Sequence, residues 1–159
     1  GKSALAFEYA QGSARADRHA ALAALAEDWQ LIANVAEELR ADKEVALAAV
    51  RRDGFALEYL SAALRADREV VLAACETGCR ALRYASEHIL ADRSFVLTAV
   101  AREGLALEYA AKELRGDREV VLVALRSSWR ALEHASVSLR GDISVVLVAV
   151  QHGGLALQF

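Results

Sequence analysis

The sequence predicts an all-α fold, an α-solenoid of about six 25-residue repeats that each contain two helices. Three observations predict it: an Asp that recurs every 25 residues, apolar residues at helical spacing after each Asp, and the absence of Pro among 159 residues. Because Pro breaks the interior of a helix, a chain without Pro favours helical stretches joined by short turns. One helix pair of this size cannot bury its apolar faces alone, whereas stacked pairs can.

The repeat is defined by its Asp residues, and each Asp is position 0 of its copy. The recurring residues are Asp17, Asp42, Asp67, Asp92, Asp117 and Asp142. Position 5 is Leu and position 7 is Ala in all six copies. We expect both to be core residues, with the Ala at a close helix contact. The chain is predicted to be a single repeat domain with units at about 17–41, 42–66, 67–91, 92–116, 117–141 and 142–159 (partial), preceded by the partial unit 1–16.

Each Asp is predicted to cap the N-terminus of the first helix of its repeat. After Asp67 the chain has good helix formers, with apolar residues on one face at Val70, Val71, Ala74 and Cys75. Asp is a preferred N-cap because its carboxylate accepts hydrogen bonds from the first free backbone N–H groups. A ladder of metal ligands is the alternative, but carboxylates one repeat apart lack the clustered oxygens that Ca²⁺ needs.

The second helix of a repeat is predicted from residues such as Arg80 to Leu90, where apolar side chains again have helical spacing. Glycine gives the expected stops. Gly54, Gly104 and Gly154 stand at position 12, where a glycine after the first helix would form a tight turn. Gly116 and Gly141 directly precede an Asp and are expected to end the second helix, at a place where other copies have Ala.

Alternate copies differ at position 12, so a 50-residue super-repeat of four helices describes the chain better. One set has Gly54-Phe55, Gly104-Leu105 and Gly154-Leu155, and the other has Trp29-Gln30, Cys79-Arg80 and Trp129-Arg130. The Trp side chains fill a gap in one interpretation and contact a partner in the other, since Trp and Arg dominate interface hot spots. The candidate partner-contact residues are Trp29, Arg80, Trp129 and Arg130.

A ring residue recurs at position 17, eight residues before the next Asp. Its members are Tyr9, Tyr59, Tyr84, Tyr109 and His134, while Asn34 departs from the pattern. Packing between repeats is the interpretation that we favour over a platform for stacked bases, because no basic stripe accompanies the rings. The net charge of −3 also argues against nucleic acid as a partner.

No catalytic constellation is found, and we expect a protein that is not an enzyme and has no cofactor and no metal site. Phosphate-binding glycine loops and the hydrolase and zinc-protease motifs are absent. Cys75 stands where other copies have Val and is expected to be buried, whereas Cys79 lies in a turn and is expected to be partly exposed. The histidines do not converge on one face. Two Cys are too few for a disulfide framework, which favours a reducing compartment such as cytoplasm or plastid.

Several segments resemble the repeat family known as domain of unknown function 4116. They are L-R-A-D-R-E-V-V-L-A-A (64–74), L-R-G-D-R-E-V-V-L (114–122), A-L-E-Y-L-S (56–61), A-L-R-Y-A-S (81–86) and A-L-E-Y-A (106–110). The resemblance covers essentially the whole chain. It implies helical repeats of the kind common in algae and other protists, with no established reaction and no catalytic residues to carry over.

These observations favour a non-enzymatic protein-interaction scaffold or a structural subunit of a larger assembly. Two alternatives stay open: a peripheral accessory subunit of a membrane-associated complex, such as an algal photosynthetic one, and a regulatory array attached to a catalytic domain outside this chain. Docking to a membrane would be peripheral, because the apolar runs are far shorter than the roughly 20 residues of a membrane span. The chain is also expected to be a fragment of a longer array.

Overall fold

The computed structural model describes residues 17–153, and every regular element in that range is a helix. The chain divides after Ser86 into two compact units, of which the described parts are residues 17–86 (unit 1) and 87–153 (unit 2). The five repeats that begin at Asp17, Asp42, Asp67, Asp92 and Asp117 each contain a long α-helix, a six-residue 3₁₀ helix and a short element, and the last repeat is described only through its long helix. The all-α repeat architecture predicted from the sequence is therefore confirmed.

The element bounds follow the 25-residue register. The long helices are α1 Arg18–Glu27, α3 Lys43–Arg52, α4 Arg68–Cys75, α6 Arg93–Arg102, α8 Arg118–Ser127 and α10 Ile143–His152. The 3₁₀ helices are Trp29–Asn34, Gly54–Tyr59, Cys79–Tyr84, Gly104–Tyr109 and Trp129–His134. The short helices are α2 Glu37–Arg40, α5 Glu87–Leu90, α7 Lys112–Arg115 and α9 Val137–Arg140, and a 3₁₀ turn at Leu64–Ala66 takes their place in one repeat.

Each long helix begins at an Asp cap. The Asp117 carboxylate accepts hydrogen bonds from the backbone N–H groups of Glu119, at 2.9 Å, and Val120, at 3.2 Å. These are two of the donors that the first turn of a helix leaves without an internal partner. The same geometry occurs at Asp17, Asp42, Asp67, Asp92 and Asp142.

The prediction of a single second helix from Arg80 to Leu90 is wrong. A 3₁₀ helix ends at Tyr84, Ala85 is extended with φ −67° and ψ 156°, and α5 then begins at Glu87. The reason is a hydrogen bond between neighbouring repeats, because the Ser86 N–H donates to the Arg65 carbonyl at 2.9 Å. That bond replaces the intrahelical bond that a continuous helix would need.

The role predicted for the position-12 glycines is also wrong where the structure describes them. The preceding helices end at Arg52 and Arg102, and Gly54 and Gly104 begin the next 3₁₀ helix without a left-handed backbone. They are needed for a close approach instead, since a Cβ on Gly104 would stand 2.3 Å from the Ala124 carbonyl oxygen. Gly154 lies outside the described residues.

The glycines before an Asp behave as the sequence predicts. Gly116 ends α7 with φ −97° and ψ −5°, and Ala41 has nearly the same right-handed backbone at the same place. Because this conformation is open to any L-residue, Ala and Gly exchange freely there. Only Gly78 has a positive φ, of 142°, within residues 17–153.

The core lies between the long helices and the 3₁₀ helices within each unit. The six position-7 alanines are all buried, which confirms their predicted place in the core. The core prediction for the position-5 leucines is wrong: five are half-buried and Leu147 is 55% exposed. Positions 3, 4, 7 and 8 form the buried face in most copies, so position 5 falls at its flank.

The expectation for the cysteines is reversed, because Cys75 is half-buried and Cys79 is buried.

Candidate functional site

A shallow groove forms where the short element of one repeat meets the start of the next short element. A backbone hydrogen bond fixes this contact: the position-19 N–H donates to the position-23 carbonyl of the preceding repeat. The pairs are Ser61 to Arg40, Ser86 to Arg65, Ala111 to Leu90 and Ser136 to Arg115, at 3.2, 2.9, 3.0 and 2.8 Å. The groove is therefore a property of the repeated backbone, and the side chains at positions 17, 20 and 23 decide its chemistry.

Three such grooves are open enough to hold a small group, and their linings differ. The Glu37 groove, of about 120 Å³, has Glu37, Arg40, Tyr59 and Ser61. The Glu87 groove, of about 310 Å³, has Glu87, Leu90, Ala91, Tyr109 and Ala111. The basic groove, of about 280 Å³, has Lys112, Arg115, His134, Ser136, Val137 and Arg140.

Position 23 carries an Arg in most repeats, and these guanidinium groups share one unusual feature. The Nε atoms of Arg40, Arg65, Arg115 and Arg140 are buried and have no hydrogen-bond acceptor among the described residues. A buried donor without a partner is costly, and a bound water or ion is one of the ways in which such a group is satisfied. In the Glu87 groove Leu90 takes this position, so the feature is absent there.

The basic groove departs from the other copies at two further positions. Lys112 stands at position 20, where other described repeats have Glu37, Ala62, Glu87 and Val137. His134 stands at position 17, where three repeats have Tyr. The repeat does not require either residue for its backbone, since the other copies fold the same way without them. Aligning the copies could have revealed these departures, although not that they share a groove.

Of the four predicted partner-contact residues, Trp29 and Arg80 lie in unit 1, and Trp129 and Arg130 lie in unit 2. Trp129 is half-buried, and its indole lies against the backbone of Gly153, where a Cβ would come within 2.2 Å of the ring. The Arg130 guanidinium is exposed and lies 5.1 Å from the centre of that ring, close enough for a cation–π contact. Trp29 is half-buried and Arg80 is exposed. This contact with Gly153 is the one expected if the Trp129 side chain fills a gap.

The position-17 rings pack between repeats where a contact is resolved. Phe55 and Tyr84 meet edge to face, with ring centres 6.1 Å apart. Burial of Tyr84 and its hydrogen bond to Glu58 raise the pKa of the hydroxyl above its usual value. Tyr9 lies outside the described residues.

An ion-pair ladder that sequence reasoning missed runs along the caps. The cation at position 1 contacts the cap Asp and position-2 Glu of the next repeat, in the sets Arg18 with Asp42 and Glu44, Lys43 with Asp67 and Glu69, and Arg93 with Asp117 and Glu119. Hydrogen bonds to Glu69 and Asp67 raise the pKa of Lys43, and the Arg93 guanidinium lowers the pKa of Asp117. Each exposed pair contributes little on its own.

The 50-residue alternation has a physical cause in a hydroxyl at position 10. The Thr77 hydroxyl accepts from the Gly54 N–H at 2.7 Å and donates to the Ala74 carbonyl at 3.0 Å. The Ser127 hydroxyl accepts from the Gly104 N–H at 3.0 Å. A glycine turn in one repeat is therefore matched to a hydroxyl in the next, and the two repeats form a pair.

Comparison with known families agrees with the 50-residue period, although its segments pair each Trp or Cys repeat with the glycine repeat that follows it. A sequence model of the family described as Domain of unknown function (DUF4116) matches residues 17–65, 67–115 and 117–159. The chain belongs to this family. The matched segments begin 50 residues apart, each at a repeat that carries Trp or Cys at position 12. No curated protein and no solved structure matches the chain.

Within the described part of this DUF4116 array, no three His, Cys, Asp or Glu side chains converge to hold a metal ion. Nor is any helix in that part long and apolar enough to cross a membrane. The basic groove brings together two side chains that depart from the repeat, Lys112 and His134. In the sequence, the grooves are indicated only by single residues that depart from the repeat. Such departures are a weaker indication than the 25-residue periodicity.

Proposed function

We propose that this DUF4116 chain is a non-enzymatic protein-interaction scaffold, and that its grooves carry the binding. One observation supports this above the others: the same repeated backbone forms one groove lined by both charges and a Tyr, one lined by a carboxylate, a Tyr and apolar side chains, and one with a basic lining. A constant frame with varied surface side chains is how repeat arrays recognise partners. The repeated backbone positions each groove, and the groove side chains that differ between repeats determine which partner binds.

A crosslinking experiment tests this function. A photoreactive amino acid is placed at the exposed groove positions Glu37 and Lys112, and at Arg51 as an exposed control on a long helix. In an extract of the source cells, the groove positions should crosslink to a defined protein, and an excess of the unmodified chain should suppress the crosslink.

Two results would count against the scaffold role. The first is equal crosslinking from Arg51 and from the groove positions, which would indicate nonspecific contact. The second is recovery of the uncrosslinked chain as a monomer from every position. Mass spectrometry of the crosslinked peptide identifies both the partner and the repeat that touches it.

A further inference from the structure

The geometry points to a specific ligand for the basic groove of unit 2: a phosphate monoester carried on an extended protein segment. The inference deepens the proposed scaffold role and rests on it for the source of the phosphate. The groove gathers Lys112, Arg115 and Arg140, and the Arg115 and Arg140 Nε atoms lack an acceptor. No other groove described above combines three cations.

The charge of the groove matches a dianion. Glu133 is the one carboxylate in the lining, so Lys112, Arg115 and Arg140 together carry two more positive charges than it balances. A phosphate monoester carries about −1.5 to −2 charges near pH 7 and three strong acceptor oxygens. A carboxylate would supply one negative charge and fewer acceptors. The guanidinium fork also fits tetrahedral oxyanions well, and Lys binds them as a point charge.

The groove is placed well for a ligand that is part of a protein chain. Val137 lies in the groove lining and is 77% exposed, which is unusual for a large apolar side chain. It offers an apolar contact to the residue next to the phosphate, a contact that a free inorganic ion cannot use. The groove is open to solvent, so a segment of another protein can reach it.

The internal control is the Glu87 groove of the same unit. It has a similar volume, about 310 Å³ against about 280 Å³, but Glu87 and Leu90 replace Lys112 and Arg115. With a carboxylate and no cation in its lining, this groove should repel the same ligand. The two grooves are formed by the same backbone arrangement in neighbouring repeats, so any difference in their binding comes from their side chains.

Titration of the full chain tests the inference. The probes are a short Ala/Leu peptide with one phosphoserine, the same peptide without the phosphate, inorganic phosphate and a short single-stranded RNA. The phosphopeptide should bind saturably and shift the amide NMR signals of Ser136 and Val137. The unphosphorylated peptide should leave those signals in place.

Two substitutions and one matched control localise the binding. Lys112→Gln should weaken phosphopeptide binding about tenfold, because it removes one charge-assisted contact. Val137→Ser should weaken the phosphopeptide a few-fold and leave inorganic phosphate unchanged. Glu87→Gln, at the same repeat position in the neighbouring groove, should change neither. Thermal unfolding checks that all three exposed substitutions leave the fold intact.

The inference is overturned if both peptides bind alike, if Lys112→Gln binds as the natural chain does, or if the shifts appear in the Glu87 groove. Inorganic phosphate that binds as tightly as the phosphopeptide would overturn a protein segment as the source. Tighter binding of RNA would overturn the phosphate monoester. If the basic groove does not bind the phosphopeptide but the photoreactive residue at position 37 still crosslinks to a protein, this ligand is refuted and the scaffold role stands.

Discussion

The turns at Gly104 and Trp129 occupy the same position in neighbouring repeats of unit 2. They pack against the next repeat differently: one through its backbone and the other through a large side chain. Both begin a six-residue 3₁₀ helix after an extended residue. Gly104 is buried, with its backbone pressed against the end of α8. Trp129 is half-buried, with its indole laid on the backbone of Gly153. In one turn the chain fits because a side chain is missing, and in the other a large side chain fills the space.

This difference predicts different sensitivities to substitution. A buried backbone contact cannot yield when an atom is added, whereas a half-exposed ring can be trimmed at a smaller cost. We therefore expect a substitution at a glycine turn to lower the free energy of unfolding more than a substitution at a tryptophan turn.

The largest effect is expected for Gly104→Ala. The new Cβ would lie 2.3 Å from the Ala124 carbonyl oxygen and 2.9 Å from the Ser128 nitrogen, and both are backbone atoms. We expect the free energy of unfolding to fall by about 3 kcal/mol, as for severe overpacking. Urea denaturation measures the loss.

Gly116→Ala is the matched control, since its backbone is right-handed and its nearest contact would be 3.3 Å. Its stability should stay within about 0.5 kcal/mol of the natural chain. If Gly104→Ala proved equally mild, the close approach at Gly104 would be refuted.

Trp129→Ala should have the second largest effect. Truncating a fully buried Trp costs about 3–5 kcal/mol, so a half-buried indole should cost about 2 kcal/mol. Arg130→Gln, which keeps the ring and removes only the cation above it, should cost less than about 0.5 kcal/mol. Unchanged melting of Trp129→Ala with lost partner binding would instead support a partner contact at this ring.

Thr77→Val tests the hydroxyl that links a glycine turn to the next repeat. The substitution keeps the shape but leaves the partly buried Gly54 N–H without its acceptor, which should cost about 1–2 kcal/mol. Thr77→Ser should restore stability, because Ser127 performs the same role at the same repeat position. Equal stabilities of the Val and Ser variants would show that the paired repeats do not depend on this bond.

The smallest effects are expected at the caps, which glycine and tryptophan repeats share. The pKa values of Asp42, Asp67 and Asp117 are lowered in the folded chain by hydrogen bonds and nearby cations. A lowered folded-state pKa contributes stability above the unfolded-state value, near 4, and this contribution is lost as pH falls through the folded-state value. Stability should therefore be level near neutral pH and fall below about pH 4.

Asp117→Ala should cost about 1 kcal/mol at pH 7 through the lost cap, and it should make the acid transition shallower. Glu108→Gln removes an exposed carboxylate outside the caps and should change little. Chemical denaturation at a series of pH values measures both effects. An acid transition that is the same in Asp117→Ala and the natural chain would show that the cap does not titrate with folding.

The sequence predicted the repeat length, the helix that follows each Asp and the burial of the position-7 alanines. These features are local or periodic: an Asp caps the helix beside it, and small residues at one register position mark close helix contacts. The predictions failed where contacts with the next repeat decide the outcome. The helix predicted from Arg80 to Leu90 is interrupted because the Ser86 N–H bonds to the preceding repeat.

The candidate site shows the same limit. Trp29, Arg80, Trp129 and Arg130 were singled out by residue type, although Trp129 packs on Gly153. Lys112 and His134 were visible as departures from the repeat, but their meaning depends on a groove that only the folded backbone creates.

The amino-acid sequence by itself determined the all-α class, the 25-residue register and the family of this chain, because periodic patterning and capping act within one repeat. Tertiary structure decided the split of the second helix, the purpose of the buried glycines and the grooves with their different linings. Each of these depends on atoms about one repeat apart, such as the Gly54 N–H and the Thr77 hydroxyl. Bonds of that range exist only once neighbouring repeats have packed together.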